Sequence, residues 1–340
     1  MAGKQIRAAI VGAATLLGKE LAEELNNSAA AAWTTVLLDE SNDAETQLTA
    51  AGDEPAVIQP LNAEALERVD IVFFAGTSET TREFWRRPAA EGAAIVDLSG
   101  ALENEPGFAV RCPWLPGGQK PDLTTPGVIA PHPAALMLAI AADRLGRLGL
   151  QTISATVLEP ASQAGSAGLD ELHQQTVSLL SFQSVPKEVF DSQVAFNLQT
   201  ALGEDSKVLL DGVRDVIRRH LRVMLPEKIA DAIHFQLVQA PVFHGYTVSA
   251  LAQMDRNLTA EEVRQALNGG VVVADDETVP SNLAAAEAGD LLVSVRADSD
   301  ARSAASHWLW MASDNLRLAA RGAVAAAMEL ASLRPMDRVQ

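Results

Sequence analysis

Apolar positions along the chain fall into two rhythms. Ile6–Val11 is a short β-prone run, followed by Gly12–Gly18 and then Lys19–Leu25 at helical spacing. Thr35–Leu38, Asp70–Ala75 and Ala93–Leu98 are further strand-like runs, and a helix is expected from Thr80 to about Arg87. Strands alternating with helices in this way predict a parallel, doubly wound α/β sheet. After a helix over Ala134–Leu148 the strands lengthen: Thr152–Leu158, Ala232–Ala240, Thr247–Met254, Val271–Val273 and Leu291–Ala297. Between them helical spacing covers Lys207–Val223 and Ala260–Leu267, and a helix is expected from Leu169 with Asp170 and Glu171 in its first turn, where the helix dipole favours them. The second half therefore predicts an α+β domain, a mixed sheet with one face covered. The other face is a candidate dimer surface, because a bare sheet face is an apolar patch. The alanine-rich helix from Asn315 to about Leu333 is expected to pack back on the N-terminal sheet. The expected domains are 1–133 together with 315–335, and 134–314.

Composition narrows the function. A chain of 340 residues with 48% apolar content is long enough for two well-cored domains. The net charge of −18 argues against nucleic acid or an anionic membrane as partner, since both need a positive face. The longest apolar runs are too short or too charged to span a bilayer. Met1–Lys4 leads straight into a strand with no apolar leader, so the expected location is cytoplasmic. Cys112 is the one cysteine, which excludes a disulfide framework, and it sits in a Pro- and Gly-rich loop with nothing to lower its pKa. The six histidines show no metal-ligand spacing, so no metal is expected.

Strand, glycine turn and helix over Ile6–Leu25 form the context in which a dinucleotide fingerprint carries meaning. Gly12 allows the tight turn and Gly18 close helix–sheet packing, while Thr15 stands where the middle glycine is usual. The N–H groups around Ala14, Thr15, Leu16 and Leu17 are the expected pyrophosphate seat. Asp39 ends the second strand about 20 residues on, where an acidic side chain grips a ribose 2′-OH and repels a 2′-phosphate, so NAD is favoured over NADP. Gly76, Thr77 and Ser99 follow later strands and are expected to face the same crevice.

The segment Val128–Leu136 presents Pro131-His132-Pro133-Ala134 at the start of a helix. Around it stand Ser162–Gly168, Gln239–Thr247 and Trp310–Arg317. With Gly12–Gly18, Phe74–Ser78 and Asp97–Ala101, these resemble in order the GATGxVG, FSAGGS, DNSSA, SGAGxxG, RVPVxxGHS and WxxxDNLR motifs of the aspartate-semialdehyde dehydrogenase family, which is related to N-acetyl-glutamyl-phosphate reductase. The resemblance covers nearly the whole chain. It implies a Rossmann-like NAD(P)-binding domain, a second domain for substrate and dimerisation, a homodimer formed through the second-domain sheet, and Gly165 and Asn315 as further cofactor contacts.

The same resemblance implies a cysteine thiolate that attacks the acyl phosphate or aldehyde, a histidine that moves protons, and arginines that hold the substrate's anions. Those positions differ here. The nucleophile falls on Ala134, the histidine on Tyr246, the glutamine before the SGAG loop on Glu159, and the two substrate arginines on Glu103 and Gln239. Leu318 and Ala319 stand where the family has lysine and glycine. His132 and His244 are the nearby candidate substitutes; with Glu159 and Tyr246 they are candidates to converge on one pocket. Two readings follow. The first is a family scaffold without phosphorylating dehydrogenase activity, with dinucleotide binding kept or lost, acting in a structural or regulatory role or beside a hetero-partner. The second is an active NAD(P)-dependent oxidoreductase of amino-acid biosynthesis with an altered mechanism.

Overall fold

The computed structural model describes residues 5–40, 48–51, 54–275, 277–298 and 305–334. Met1–Lys4 and the end of the helix expected to reach 335 lie outside them. The chain divides into two compact units, residues 1–131 with 319–340, and residues 132–318.

The first unit runs β1 (Arg7–Val11), α1 (Leu16–Asn27), β2 (Thr34–Asp39), β3 (Leu48–Ala51), β4 (Glu54–Pro60), β5 (Ile71–Phe74), α2 (Ser78–Phe84), α3 (Arg86–Ala90), β6 (Ala94–Asp97) and β7 (Gly127–Ile129). Its sheet has the order β3-β4-β2-β1-β5-β6-β7, and every pairing is parallel except β3 with β4. This is the doubly wound sheet that the strand–helix alternation predicts. Ala8, Ile10, Ile71, Phe73, Ala94 and Val96 point to one face, where Leu21 and Leu25 of α1 and Ala323, Val324, Ala327 and Leu330 cover them. The intervening Ala9, Val11, Val72, Phe74 and Ile95 are equally buried, which is why these strands read as continuous apolar runs and not as alternation. The Pro- and Gly-rich loop between β6 and β7 is fastened by Arg111, whose guanidinium donates to both carboxylate oxygens of Glu329 at 2.6 and 2.8 Å and to the Gly117 carbonyl at 3.0 Å.

In the second unit come α4 (Pro133–Gly146), β8 (Leu150–Glu159), a single 3-10 turn (Ala161–Ala164), α5 (Gly165–Leu180), α6 (Leu210–Met224), α7 (Glu227–Asp231), β9 (Ile233–Gln239), β10 (Tyr246–Met254), α8 (Ala260–Leu267), β11 (Val272–Val273), α9 (Asn282–Ala288), β12 (Leu291–Ala297) and β13 (Ser306–Ser313). The last helix, α10 (Asn315–Leu333), begins here and ends in the first unit. The sheet order is β11-β12-β13-β10-β8-β9, mixed in direction. Ile153, Ala155 and Val157 share the buried face with Val248, Ala250, Leu309 and Met311, and α4, buried along nearly all its length, packs on β8. The alternate positions form the opposite face: Trp308 beside Leu251 and Ser154, and Trp310 beside Ser249 and Thr156. The two tryptophans are 47% and 42% exposed.

Three expectations need correction. The helix expected from Thr80 to Arg87 is two, α2 and α3, parted at Trp85. The helix expected from Leu169 starts at Gly165, so Asp170 and Glu171 are not in its first turn. Glu171 is buried instead, where its carboxylate accepts the N–H groups of Val189 at 2.5 Å and Phe190 at 3.1 Å. Gln175, one turn on, accepts those of Val194 and Ala195, so the two side chains anchor the following loop. The strands β3, β4, β7 and β13 and the helices α7 and α9 are additional to those expected.

Candidate active-site region

The head of α4 is shaped by its prolines. Pro133 is the first helical residue, where its missing N–H costs nothing, and it forces His132 into extended backbone (φ −56°, ψ 133°). His132 N–H donates to Nδ1 of the buried His220 on α6 at 2.8 Å, which pins the residue against that helix. Ala134, one residue into the helix, is fully buried and carries no group that can react.

Opposite, Gly245 turns the chain into β10 with φ +84°, a conformation that disfavours a side chain, and a Cβ there would sit tightly against Asn282 at 3.1 Å and the Ser313 carbonyl at 3.3 Å. Its N–H donates to Asn315 Oδ1 at 2.9 Å, and Ser162 Oγ donates to the same oxygen at 3.1 Å. Asn282 Nδ2 donates to the carbonyls of His244 and Gly245 at 2.7 and 2.6 Å, and its Oδ1 accepts from Thr247. So fastened, the turn delivers Tyr246, with no exposed surface, to the first position of β10.

Three of the residues singled out in the sequence meet here. The Tyr246 hydroxyl donates to Glu159 Oε2 at 3.4 Å and lies 3.5 Å from His132 Nε2, the rings of Tyr246 and His132 meeting edge to face. Glu159 ends β8 at 1% exposure, and its Oε1 has no hydrogen-bond partner. Burial lifts its carboxyl from the ordinary value to about 8, with the Tyr246 hydrogen bond opposing. Burial also pushes the Tyr246 phenol well above its ordinary range, and the neighbouring carboxyl adds to this. Burial therefore favours the protonated form of both groups near neutral pH, with the Tyr246 hydroxyl bonded to one oxygen of Glu159.

The remaining substituted positions do not join it. His244 has an exposed side chain at the turn, away from the cluster. Gln239 is buried and spends its amide on the carbonyls of Glu159 and Ala240 at 3.1 and 3.3 Å. Glu103 belongs to the first unit, as does Cys112, which is buried with its thiol raised to about 12 by desolvation. Gly165 (φ +70°) opens α5 with nothing within 4 Å of a would-be Cβ. Among the described residues no cluster of histidines, cysteines and carboxylates is suited to a metal, and no helix is long and apolar enough to cross a membrane.

In the first unit the glycine turn has the geometry a dinucleotide needs. A Cβ on Gly12 (φ +84°) would stand 2.4 Å from Gly76 N, and one on Gly18 would stand 2.1 Å from the Gly12 carbonyl, so turn, helix and neighbouring loop are packed backbone to backbone. Thr15 caps α1, its hydroxyl oxygen accepting Gly18 N–H at 2.9 Å. Ala14 N–H donates to Asp39 Oδ2 at 2.9 Å, which holds that carboxylate beside the helix start. The Leu16 and Leu17 N–H groups, in the first turn of α1, have no acceptor inside the helix by its geometry. Ser99 is committed to the fold: its hydroxyl donates to the buried Asp97 at 2.7 Å. Asp97 also accepts Leu102 N–H, so it shapes the loop after β6. Thr77 caps α2. Sequence reasoning missed Asn282, His220 and Asp97; only Asp97 lay within a recognised motif.

Comparison with known proteins agrees with this geometry. Residues 7–178 match the semialdehyde dehydrogenase NAD binding domain and residues 142–318 the semialdehyde dehydrogenase dimerisation domain. The aspartate-semialdehyde dehydrogenase of Rickettsia bellii (strain RML369-C) is 26% identical over 92% of this chain and 94% of its own. A USG-1 protein homolog of Azotobacter vinelandii is 28% identical over 81% of this chain and 82% of its own. Among solved structures, a probable aspartate-semialdehyde dehydrogenase from Pseudomonas aeruginosa superposes with a TM-score of 0.83 at 25% identity, covering 96% of this chain and 98% of that one. Two domain matches that together run from residue 7 to residue 318 place the chain in the semialdehyde dehydrogenase family.

Proposed function

We propose that this chain is a semialdehyde-dehydrogenase scaffold that binds a dinucleotide but does not carry out the family's phosphorylating dehydrogenase reaction, and that it serves a structural or regulatory role. One observation carries the reading: fully buried Ala134 stands at the head of α4, and the interior two residues away is filled by Tyr246, Glu159 and His132. Acyl transfer through the protein needs a thiolate that attacks and later leaves. Ala134 supplies none, and Cys112 is a buried thiol whose proton stays on. A phenol raised far above its ordinary value is a poor base, and Gln239, turned onto its own strand, offers no charge to a substrate anion.

The dinucleotide part of the reading rests on the first unit. The N–H groups of Leu16 and Leu17 seat the pyrophosphate at the α1 terminus, with Gly12 giving the turn and the Ala14 and Thr15 N–H groups held by Asp39 and the Gly12 carbonyl. Asp39 takes the ribose hydroxyls and favours NAD over NADP. Gly76, Thr77 and Ser99 line the same strand ends. A nicotinamide dinucleotide, when bound, supplies a hydride acceptor; the residues named here only bind and orient it. The functional domains are taken as 1–133 with 315–335, and 134–314. A second copy covers the open sheet face that carries Trp308, Trp310 and Leu251, because two half-exposed tryptophans on one face are costly in water.

Three measurements check this. Purified protein given aspartate semialdehyde, phosphate and NAD or NADP should show no turnover, and Ala134→Cys should not restore it; turnover abolished by His132→Ala or Tyr246→Phe would establish an altered mechanism instead. Light scattering should give a dimer that Trp308→Asp dissociates; a monomeric native chain, or a dimer indifferent to the change, contradicts the interface. Glu159 has a folded value raised above its unfolded one, so its stabilising share is full below about 4.5 and is lost as pH rises through about 8. Denaturation profiles should therefore show Glu159→Gln gaining on the native chain between pH 5 and 9, by roughly 4 kcal/mol. A difference that does not change with pH places Glu159 in water.

A further inference from the structure

Glu40 is the first residue past β2, and the sheet order puts β1 between β2 and β5. Its side chain nevertheless reaches the turn that follows β5. The Thr80 hydroxyl donates to Glu40 Oε1, and the Thr77 hydroxyl lies 3.4 Å from the same oxygen. The two threonine hydroxyls are themselves 2.8 Å apart, and Thr80 is buried, so the carboxylate and the two hydroxyls form one hydrogen-bonded cluster at the turn. Glu40 Oε1 also stands 3.7 Å from where a Cβ of Gly76 would be, over the glycine whose backbone packs against Gly12. The side chain therefore spans the C-terminal end of β1, the ground on which a doubly wound sheet seats a dinucleotide. Neighbouring residues of a strand point to opposite sides. Accordingly Asp39 turns to the glycine turn, where Ala14 N–H holds it, and Glu40 turns to the β5–α2 turn. Two carboxylates fence one strand end.

We propose that Glu40 is a latch on the dinucleotide seat, an inference that rests on the dinucleotide reading given above. In the closed state its carboxylate occupies the space between the β2 and β5 turns and repels phosphate by its charge. The nucleotide half of the ligand is admitted when Glu40 gives up Thr77 and Thr80. The latch sets a low affinity for any dinucleotide and bars most strongly one that carries an extra phosphate. Glu40 is exposed, so its replacement leaves the fold intact.

Titration of the full-length protein with NADH and NADPH, followed by tryptophan fluorescence, tests the latch on native chain, Glu40→Ala and Glu40→Gln. Glu40→Ala should bind NADH about tenfold more tightly or better, the equivalent of one charge-assisted hydrogen bond, with Glu40→Gln between the two and a larger gain for NADPH. Weaker binding by Glu40→Ala means that Glu40 grips the ligand, and equal binding means that it is idle; either overturns the latch and leaves the dinucleotide reading standing. Hydrogen exchange without ligand gives an independent readout, since Glu40→Ala should speed exchange over Thr77–Thr81; unchanged exchange overturns the latch alone. No binding by native chain or variants up to millimolar ligand overturns the dinucleotide reading, and the latch with it.

Discussion

A carboxyl removed from water must find a cation or keep its proton, and Glu159 has a phenol on one oxygen and nothing on the other. Much of the second unit's local structure is arranged around that condition. Pro133 extends His132, and His220 holds its N–H. Gly245, gripped by Asn315 and Asn282, aims Tyr246 at the end of β8. The result is a chain from Glu159 through Tyr246 to His132, sealed from solvent at its tyrosine and glutamate. In an active member of the family this position must attack, hold an anion and move a proton; here it is filled by a phenol bonded to a carboxyl that keeps one oxygen unpartnered.

Much of the fold was legible in the apolar pattern, for physical reasons that can be named. Strands covered on both faces, such as Ile71–Phe74, read as unbroken apolar runs, and Leu291–Ala297 reads correctly to the residue. The expectations failed where length or context decides. β7 is three residues long and gains its pairing from β6, which no local window detects. β13 alternates tryptophan with buried positions, yet its aromatic face is open, so it lacks the usual sign of a covered strand. The start of α5 was misread because Asp170 and Glu171 look like first-turn acids, whereas Glu171 is a buried acceptor for a distant loop.

The site was legible through the family resemblance and through the substitutions standing in its motifs. That His132, Glu159 and Tyr246 meet while His244 stays in solvent depends on one positive-φ glycine and two asparagines, and spacing alone does not reveal it. The glycine turn was legible because backbone approach leaves only glycine possible at Gly12 and Gly18. The reach of Glu40 to Thr80 was not, since it joins residues far apart in sequence through a side chain that ordinarily points to water.

The central claim is that the reacting position is filled by a sealed, protonated phenol, and Tyr246 is the chain's one tyrosine. Ionisation of the native protein, followed by tyrosinate difference absorbance, therefore reports on this single group. No tyrosinate signal should develop until pH rises well beyond the ordinary phenol value of about 10, and the signal should then coincide with unfolding. A reversible ionisation at or below that value in the folded protein would mean an open and activated phenol, and would contradict the claim.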